Sequence, residues 1–122
     1  MAKILVVDDE VMAVNLLKKE LERWDHHVIT ARNGPEALEL IDAEQPSLML
    51  LDIRMPGQNG IEVLREAKAK DPELSVIMVT AVAEKNIARV ALESGADDYV
   101  TKPIDLDYLQ TTILVGLTTR SY

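Results

Sequence analysis

Short runs of consecutive apolar residues alternate along this chain with longer stretches whose apolar positions recur every three or four residues. A continuous apolar run suits a strand covered on both faces, whereas the wider spacing marks the buried stripe of an amphipathic helix. Lys3 to Val7 predicts a first strand, followed by a helix with Val14, Leu17, Leu21 and Trp24 on its inner side. His27 to Ala31 predicts a second strand. Asn33-Gly34-Pro35-Glu36 then starts a helix, with Pro favourable in the first turn, buried positions at Ala37, Leu38 and Ile41, and Pro46 marking its end.

Leu48 to Leu51 predicts the third strand. The segment Arg54-Met55-Pro56-Gly57-Gln58-Asn59-Gly60 has the chemistry of a loop, and Asn59 is placed to cap a helix carrying Val63, Leu64 and Ala67. Val76 to Val79 predicts the fourth strand, ending at Thr80, and a helix from Glu84 to Ser94 closes at Gly95. Tyr99-Val100 forms a short fifth strand, and Asp105 opens a last helix with Leu106, Leu109, Ile113 and Leu117 on one face. Strict alternation of this kind predicts an α/β fold, a single doubly wound (βα)5 domain with a parallel sheet and helices on both sides. No linker, repeat or low-complexity segment interrupts residues 1–122, so one domain is expected.

The net charge of −8 argues against direct contact with nucleic acid, and an aromatic content of 3% leaves no platform for stacking bases. With no Phe, the core must be aliphatic; with no Cys, disulfides, thiolate nucleophiles and zinc–thiolate sites are excluded. No stretch approaches the roughly 18 apolar residues of a membrane span, and no signal peptide precedes the first strand. A cytoplasmic location without membrane contact is the expectation.

Chemistry gathers where strands end. Asp8 and Asp9 follow the first strand, Asp52 the third, Thr80 closes the fourth, and Lys102-Pro103 follows the fifth. Open α/β sheets place their sites at the carboxyl ends of strands. If the first and third strands are neighbours, three acids converge, and their mutual repulsion calls for a hard divalent cation with oxygen ligands, most simply Mg²⁺. Singly, each group has an ordinary role: Asp8-Asp9 as a helix cap, Asp52 as a turn residue, Thr80 as a strand former, Lys102 as a solvated charge. Their coincidence at adjacent strand ends has no structural reason.

These residues carry a resemblance. The pieces Val7-Asp8-Asp9-Glu10, Leu51-Asp52-Ile53-Arg54-Met55-Pro56-Gly57, Asn59-Gly60, Val79-Thr80-Ala81, Gly95-Ala96-Asp97-Asp98-Tyr99 and Thr101-Lys102-Pro103 occur in order along the whole chain. Together they resemble the receiver domain of bacterial response regulators, the CheY-like fold. The resemblance implies a flavodoxin-like sheet of strand order 2-1-3-4-5. It implies that Asp52 is a phosphoacceptor, fed by the phosphohistidine of a histidine kinase or phosphotransfer protein. A carboxyl group with a pKa of about 4 needs no base to act as nucleophile at neutral pH.

The same resemblance implies Asp9 and Asp52 as direct Mg²⁺ ligands with the backbone carbonyl of Arg54, and Asp8 as a ligand directly or through water. Lys102 and Thr80 would each meet a phosphoryl oxygen, the Lys102–Pro103 peptide would be cis, and Tyr99 would be an aromatic switch. On that reading Tyr99 turns inward when Thr80 moves, and the surface of the fourth helix, fifth strand and fifth helix changes shape. The function so implied is a regulatory switch that catalyses only its own phosphorylation and dephosphorylation. Arg54 and Val82 flank the path of attacking water. Trp24, His26 and His27 are expected to be structural.

One departure concerns output. Receivers of the winged-helix type usually carry basic residues in the last helix, but Leu106 to Thr119 contains no Lys or Arg. Thr111, Thr112, Leu114, Val115 and Thr118 are expected to face outward, and such a face suits a partner, a neighbouring output domain or a second copy in a phosphorylation-dependent homodimer. Two alternatives stay open: a receiver-like module that never takes phosphate, and an Asp-nucleophile phosphatase of the haloacid dehalogenase type. The latter family sets Asp-x-Asp after its first strand and generally adds a cap, whereas Asp8 and Asp9 are adjacent here.

Overall fold

The structure is a computed structural model and describes residues 2–118. Its strands and helices follow in the order β1 (Lys3–Val7), α1 (Val11–Arg23), β2 (His27–Ala31), α2 (Gly34–Glu44), β3 (Leu48–Leu51), β4 (Arg54–Met55), β5 (Gln58–Asn59), α3 (Gly60–Lys70), β6 (Ser75–Thr80), α4 (Lys85–Glu93), β7 (Asp98–Thr101) and α5 (Leu106–Thr118). The five long strands form a parallel sheet ordered β2-β1-β3-β6-β7, which is the expected 2-1-3-4-5 order of a CheY-like domain. In register, Val7 lies beside both Ala31 and Leu51, Leu51 beside Met78, and Thr80 beside Thr101.

Every residue of β3 and β6 is buried, which is why these strands read as unbroken apolar runs. Alternate side chains feed two aliphatic layers. Leu5, Val7, Met49, Leu51, Val76 and Met78 pack with residues of α2, α3 and α4, including Ala37, Ile41, Leu64 and Ala91. Ile4, Val6, Leu48, Leu50, Ile77 and Val79 pack with α1 and α5 through Leu17, Leu21, Leu109 and Ile113. Each fully buried Leu or Ile contributes about 1.5–3 kcal/mol of hydrophobic stabilisation. That pull holds the sheet rigid beneath its polar rim.

Caps set the helix ends. Asn33 Oδ1 accepts from the Glu36 N–H at 2.9 Å, Asn59 Oδ1 from the Ile61 N–H at 2.8 Å, and Asp105 Oδ1 from the Tyr108 N–H at 3.2 Å. Helix α4 closes at Gly95 with φ +114, as expected. Helix α2 ends at Glu44, two residues before Pro46, and Gln45 between them takes a left-handed conformation.

Two expectations are corrected. The segment Arg54 to Asn59 is not simply a loop: Arg54 pairs with Asn59 and Met55 with Gln58 in a small antiparallel hairpin. Pro56 and Gly57 (φ +78) supply its two-residue turn. Thr112 faces inward, not outward, because its hydroxyl donates to the Tyr108 carbonyl at 2.8 Å and no longer needs water. Leu114 and Val115 do face outward, at 52% and 54% exposure. Thr119 lies outside the described residues.

Candidate functional site

Parallel pairing carries the chain one residue past the formal end of each strand. The Asp8 N–H donates to the Ala31 carbonyl at 3.2 Å, and the Asp52 N–H to the Val7 carbonyl at 3.1 Å. The Lys102 N–H donates to the Thr80 carbonyl at 2.8 Å. These bonds fix Asp8, Asp52 and Lys102 at the carboxyl edge of β1, β3 and β7, with Thr80 the last residue of β6. The Lys102–Pro103 peptide is cis.

The three side chains meet. Lys102 Nζ lies 2.8 Å from Asp8 Oδ2, 3.3 Å from Asp52 Oδ2 and 3.4 Å from Glu10 Oε1. Each inner carboxylate divides its oxygens: Asp8 Oδ1 accepts from the Glu10 N–H at 3.0 Å, and Asp52 Oδ1 from the Arg54 N–H at 3.3 Å. One oxygen is thus bound to the acid's own backbone turn and the other faces the ammonium. Burial by itself would lower the Lys102 pKa, but bonds to Asp8 and the charges of Asp52 and Asp8 outweigh it. The net shift is upward, and the side chain stays cationic.

Behind this edge, Gly60 comes so close to the turn after β3 that a Cβ on it would sit 2.2 Å from the Asp52 carbonyl oxygen. Glycine is therefore required for α3 to start against the acid-bearing turn.

Carboxylate oxygens of Asp8, Glu10 and Asp52 all lie within 4.8 Å of one another. An all-oxygen, multiply acidic donor set fits a hard cation such as Mg²⁺. Glu10 was not singled out from the sequence, because an exposed acid before a helix reads as a solvated cap; its signal comes from Lys102, a residue 92 positions away. Asp9 is exposed and stands outside this group, lining an adjoining groove of about 650 Å³ with Arg54, Met55, Val82 and Ile87. Arg54 presents its N–H to Asp52 while its side chain is exposed.

Thr80 is fully buried and its side chain takes no part in the bonds of the Lys102 ammonium; its Oγ1 accepts from the Val82 N–H at 3.2 Å. Tyr99 is half-buried, and its hydroxyl donates to the Val82 carbonyl at 2.5 Å. Burial first, then the charges of Asp52 and Glu84, raise the Tyr99 pKa and keep the phenol protonated. Trp24 and His26 sit at the opposite edge of the sheet, where the Ala2 N–H donates to His26 Nδ1 at 3.2 Å. Among the described residues, no helix is long and apolar enough to cross a membrane.

Comparison with known proteins gives concordant matches. Residues 4–114 match the model of the response regulator receiver domain. The chain is 43% identical over 114 residues to the transcriptional regulatory protein ZraR of Klebsiella oxytoca, covering 93% of this chain and 26% of that protein. It is 46% identical over 101 residues to the alkaline phosphatase synthesis transcriptional regulatory protein PhoP of Bacillus subtilis, covering 83% and 42% respectively. It therefore spans about a quarter to two fifths of the length of these relatives. A receiver domain protein (CheY-like) from Methanospirillum hungatei superposes with a TM-score of 0.92 at 33% identity, covering 97% of this chain and 94% of the other. The response regulator TrrA of Thermotoga maritima, solved with Mg²⁺–BeF, superposes with a TM-score of 0.88 at 37% identity, covering 96% and 100%. These matches set aside the haloacid dehalogenase alternative.

Proposed function

The chain belongs to the response regulator receiver domain family, and on that footing we propose that it is the phosphoacceptor switch of a two-component phosphorelay, with Asp52 the acceptor. The observation that carries this reading is the Lys102 ammonium set between Asp8 and Asp52, three groups delivered by three different strands. The donor is the phosphohistidine of a histidine kinase or phosphotransfer protein. Asp52 Oδ2 attacks phosphorus, the N–P bond breaks with its electron pair returning to the imidazole, and an acyl phosphate forms. Later attack by water breaks the new O–P bond, releasing inorganic phosphate and restoring the carboxylate.

Lys102 offers its ammonium to one phosphoryl oxygen and Thr80 its hydroxyl proton to another. Catalysis on this reading is positioning plus electrostatics. A magnesium ion held by Asp52, by Asp8 and Asp9 and by the carbonyl of Arg54 would offset the charge of the group in transfer. The solved structure of TrrA with Mg²⁺–BeF supports that choice of ion.

The output follows from Val82. A phosphoryl group that draws Thr80 toward Asp52 pulls on the Val82 amide, and Tyr99 then loses the acceptor that holds its ring. The new group brings about −1.5 to −2 charge. A shift between two close-lying states reshapes the surface of α4, β7 and α5. There Leu92, Tyr108, Leu114 and Val115 are exposed, an apolar surface for an attached output domain, a separate partner or a second copy.

Incubation with acetyl phosphate and Mg²⁺, followed by intact mass, tests the reading. One phosphoryl group is expected, absent in Asp52→Asn and in the presence of chelator. No gain of mass in the unmodified protein overturns it.

A further inference from the structure

Lys102 Nζ carries three hydrogens and has three carboxylate acceptors, one for each. Two of them, on Asp8 and Asp52, are buried in the acidic cluster, while Glu10 stands at the rim with its side chain 67% exposed. Glu10 occupies the cap position of α1, yet its side chain makes no capping bond. Its carbonyl accepts from the Val14 N–H, and its own N–H is bound to Asp8 Oδ1. The backbone of Glu10 is therefore pinned to the very carboxylate whose other oxygen holds Lys102, and its own carboxylate accepts from the same ammonium.

We propose that Glu10 is a positioning residue for Lys102: it takes the ammonium outward when a divalent cation enters between Asp8 and Asp52. The inference rests on the phosphoacceptor reading and adds a role for a residue outside it. A cation bound by Asp8 and Asp52 repels the ammonium that now bridges them. Lys102 keeps its backbone in place through its bond to Thr80, while its flexible four-carbon stem allows the ammonium to shift toward Glu10, which it already reaches at 3.4 Å. Glu10 is the acceptor at the outer side of the cluster, so moving toward it separates the two positive charges without leaving the lysine unpaired. Without Glu10, Lys102 competes with the incoming ion for Asp8 and Asp52.

The test is titration calorimetry with Mg²⁺ alone on the whole chain. Glu10→Gln is expected to weaken binding about three- to tenfold, less than the roughly 10–100-fold typical of buried outer-shell partners. Glu10→Asp, which keeps the charge but shortens the arm, is expected to weaken it similarly. In a Lys102→Met background, the effect of Glu10→Gln is expected to shrink below about twofold, the mark of a role exerted through Lys102. Circular dichroism checks that each variant is folded; should Lys102→Met not fold, Lys102→Gln supplies the background without the ammonium. Three results overturn the inference: no effect of Glu10→Gln, wild-type affinity in Glu10→Asp, or an undiminished loss in the Lys102→Met background. An unmodified protein that binds no Mg²⁺ and takes no phosphoryl group overturns the underlying phosphoacceptor reading as well. Mg²⁺ binding and phosphoryl uptake that are indifferent to Glu10 remove this inference alone.

Discussion

Thr80 and Tyr99 grip opposite ends of one residue: the Thr80 hydroxyl oxygen accepts from the Val82 N–H, and the Tyr99 hydroxyl donates to the Val82 carbonyl. Val82 is itself buried, so its peptide groups have few substitutes for these partners. Removing the Tyr99 hydroxyl leaves the carbonyl unsatisfied at one edge of the loop before α4.

Tyr99→Phe is accordingly expected to cost about 0.5–1.5 kcal/mol, the usual net worth of one hydrogen bond. Hydrogen exchange at residues 81–84 should accelerate, while the mass gained from acetyl phosphate stays at one phosphoryl group. Unchanged exchange there would show that Tyr99 does not restrain the loop.

Gly60 admits no side chain where it crosses the Asp52 carbonyl. Gly60→Ala must push α3 away from the turn that carries the acceptor. We expect a loss of about 2 kcal/mol or more, in the range of other steric insertions at packed sites. Phosphoryl uptake should fall in the same variant, because the Asp52 backbone moves with the turn. Thermal melts and intact mass check both halves.

Lys102→Met removes the cation facing two buried carboxylates. A loss of about 2–3 kcal/mol is expected, short of the roughly 3–5 kcal/mol for breaking a wholly buried pair, since Lys102 retains 17% exposure. The pH dependence has a definite sign. The folded pKa of Lys102 is raised above its ordinary 10.5, so its contribution is complete below that value and is lost as pH rises through the folded pKa. Urea midpoints should therefore decline in strong alkali in the unmodified protein, with that part of the decline missing from Lys102→Met.

His26 acts at the other end of the pH scale. Burial lowers its pKa below 6.5, with Asp25 opposing, and its neutral Nδ1 accepts from the Ala2 N–H. A depressed folded pKa means that stability is present above the unfolded value of 6.5 and lost as pH falls through the folded one. His26→Gln, which keeps an acceptor but cannot titrate, should flatten that part of the profile. Parallel curves for both proteins between pH 7.5 and 5 would rule His26 out.

The sheet was legible because its inner strands are buried on both faces: Lys3–Val7 and Leu48–Leu51 are bounded in the structure as their apolar runs predict, and so is the half-buried edge strand His27–Ala31. The hairpin at Arg54–Asn59 was not, since two paired residues per strand leave no period to read. Thr112 was misplaced because a hydroxyl bound to its own helix behaves as an apolar surface, which a polar label hides. The strand-end residues Asp8, Asp52, Thr80 and Lys102 could be placed from topology alone, as their positions follow from strand order. Glu10 could not, because its pairing depends on how far the Lys102 side chain reaches across the rim.

Trp24 closes α1 beside the start of β2, while Asp8, Asp52 and Lys102 lie at the far ends of their strands, about 16 Å along a five-residue strand. The chain's single indole is thus a reporter of global unfolding that is blind to events at the acidic rim. Its emission can follow denaturation while tyrosine resonances from Tyr99 follow ligation, giving two optically and spectroscopically separate channels on one unlabelled molecule.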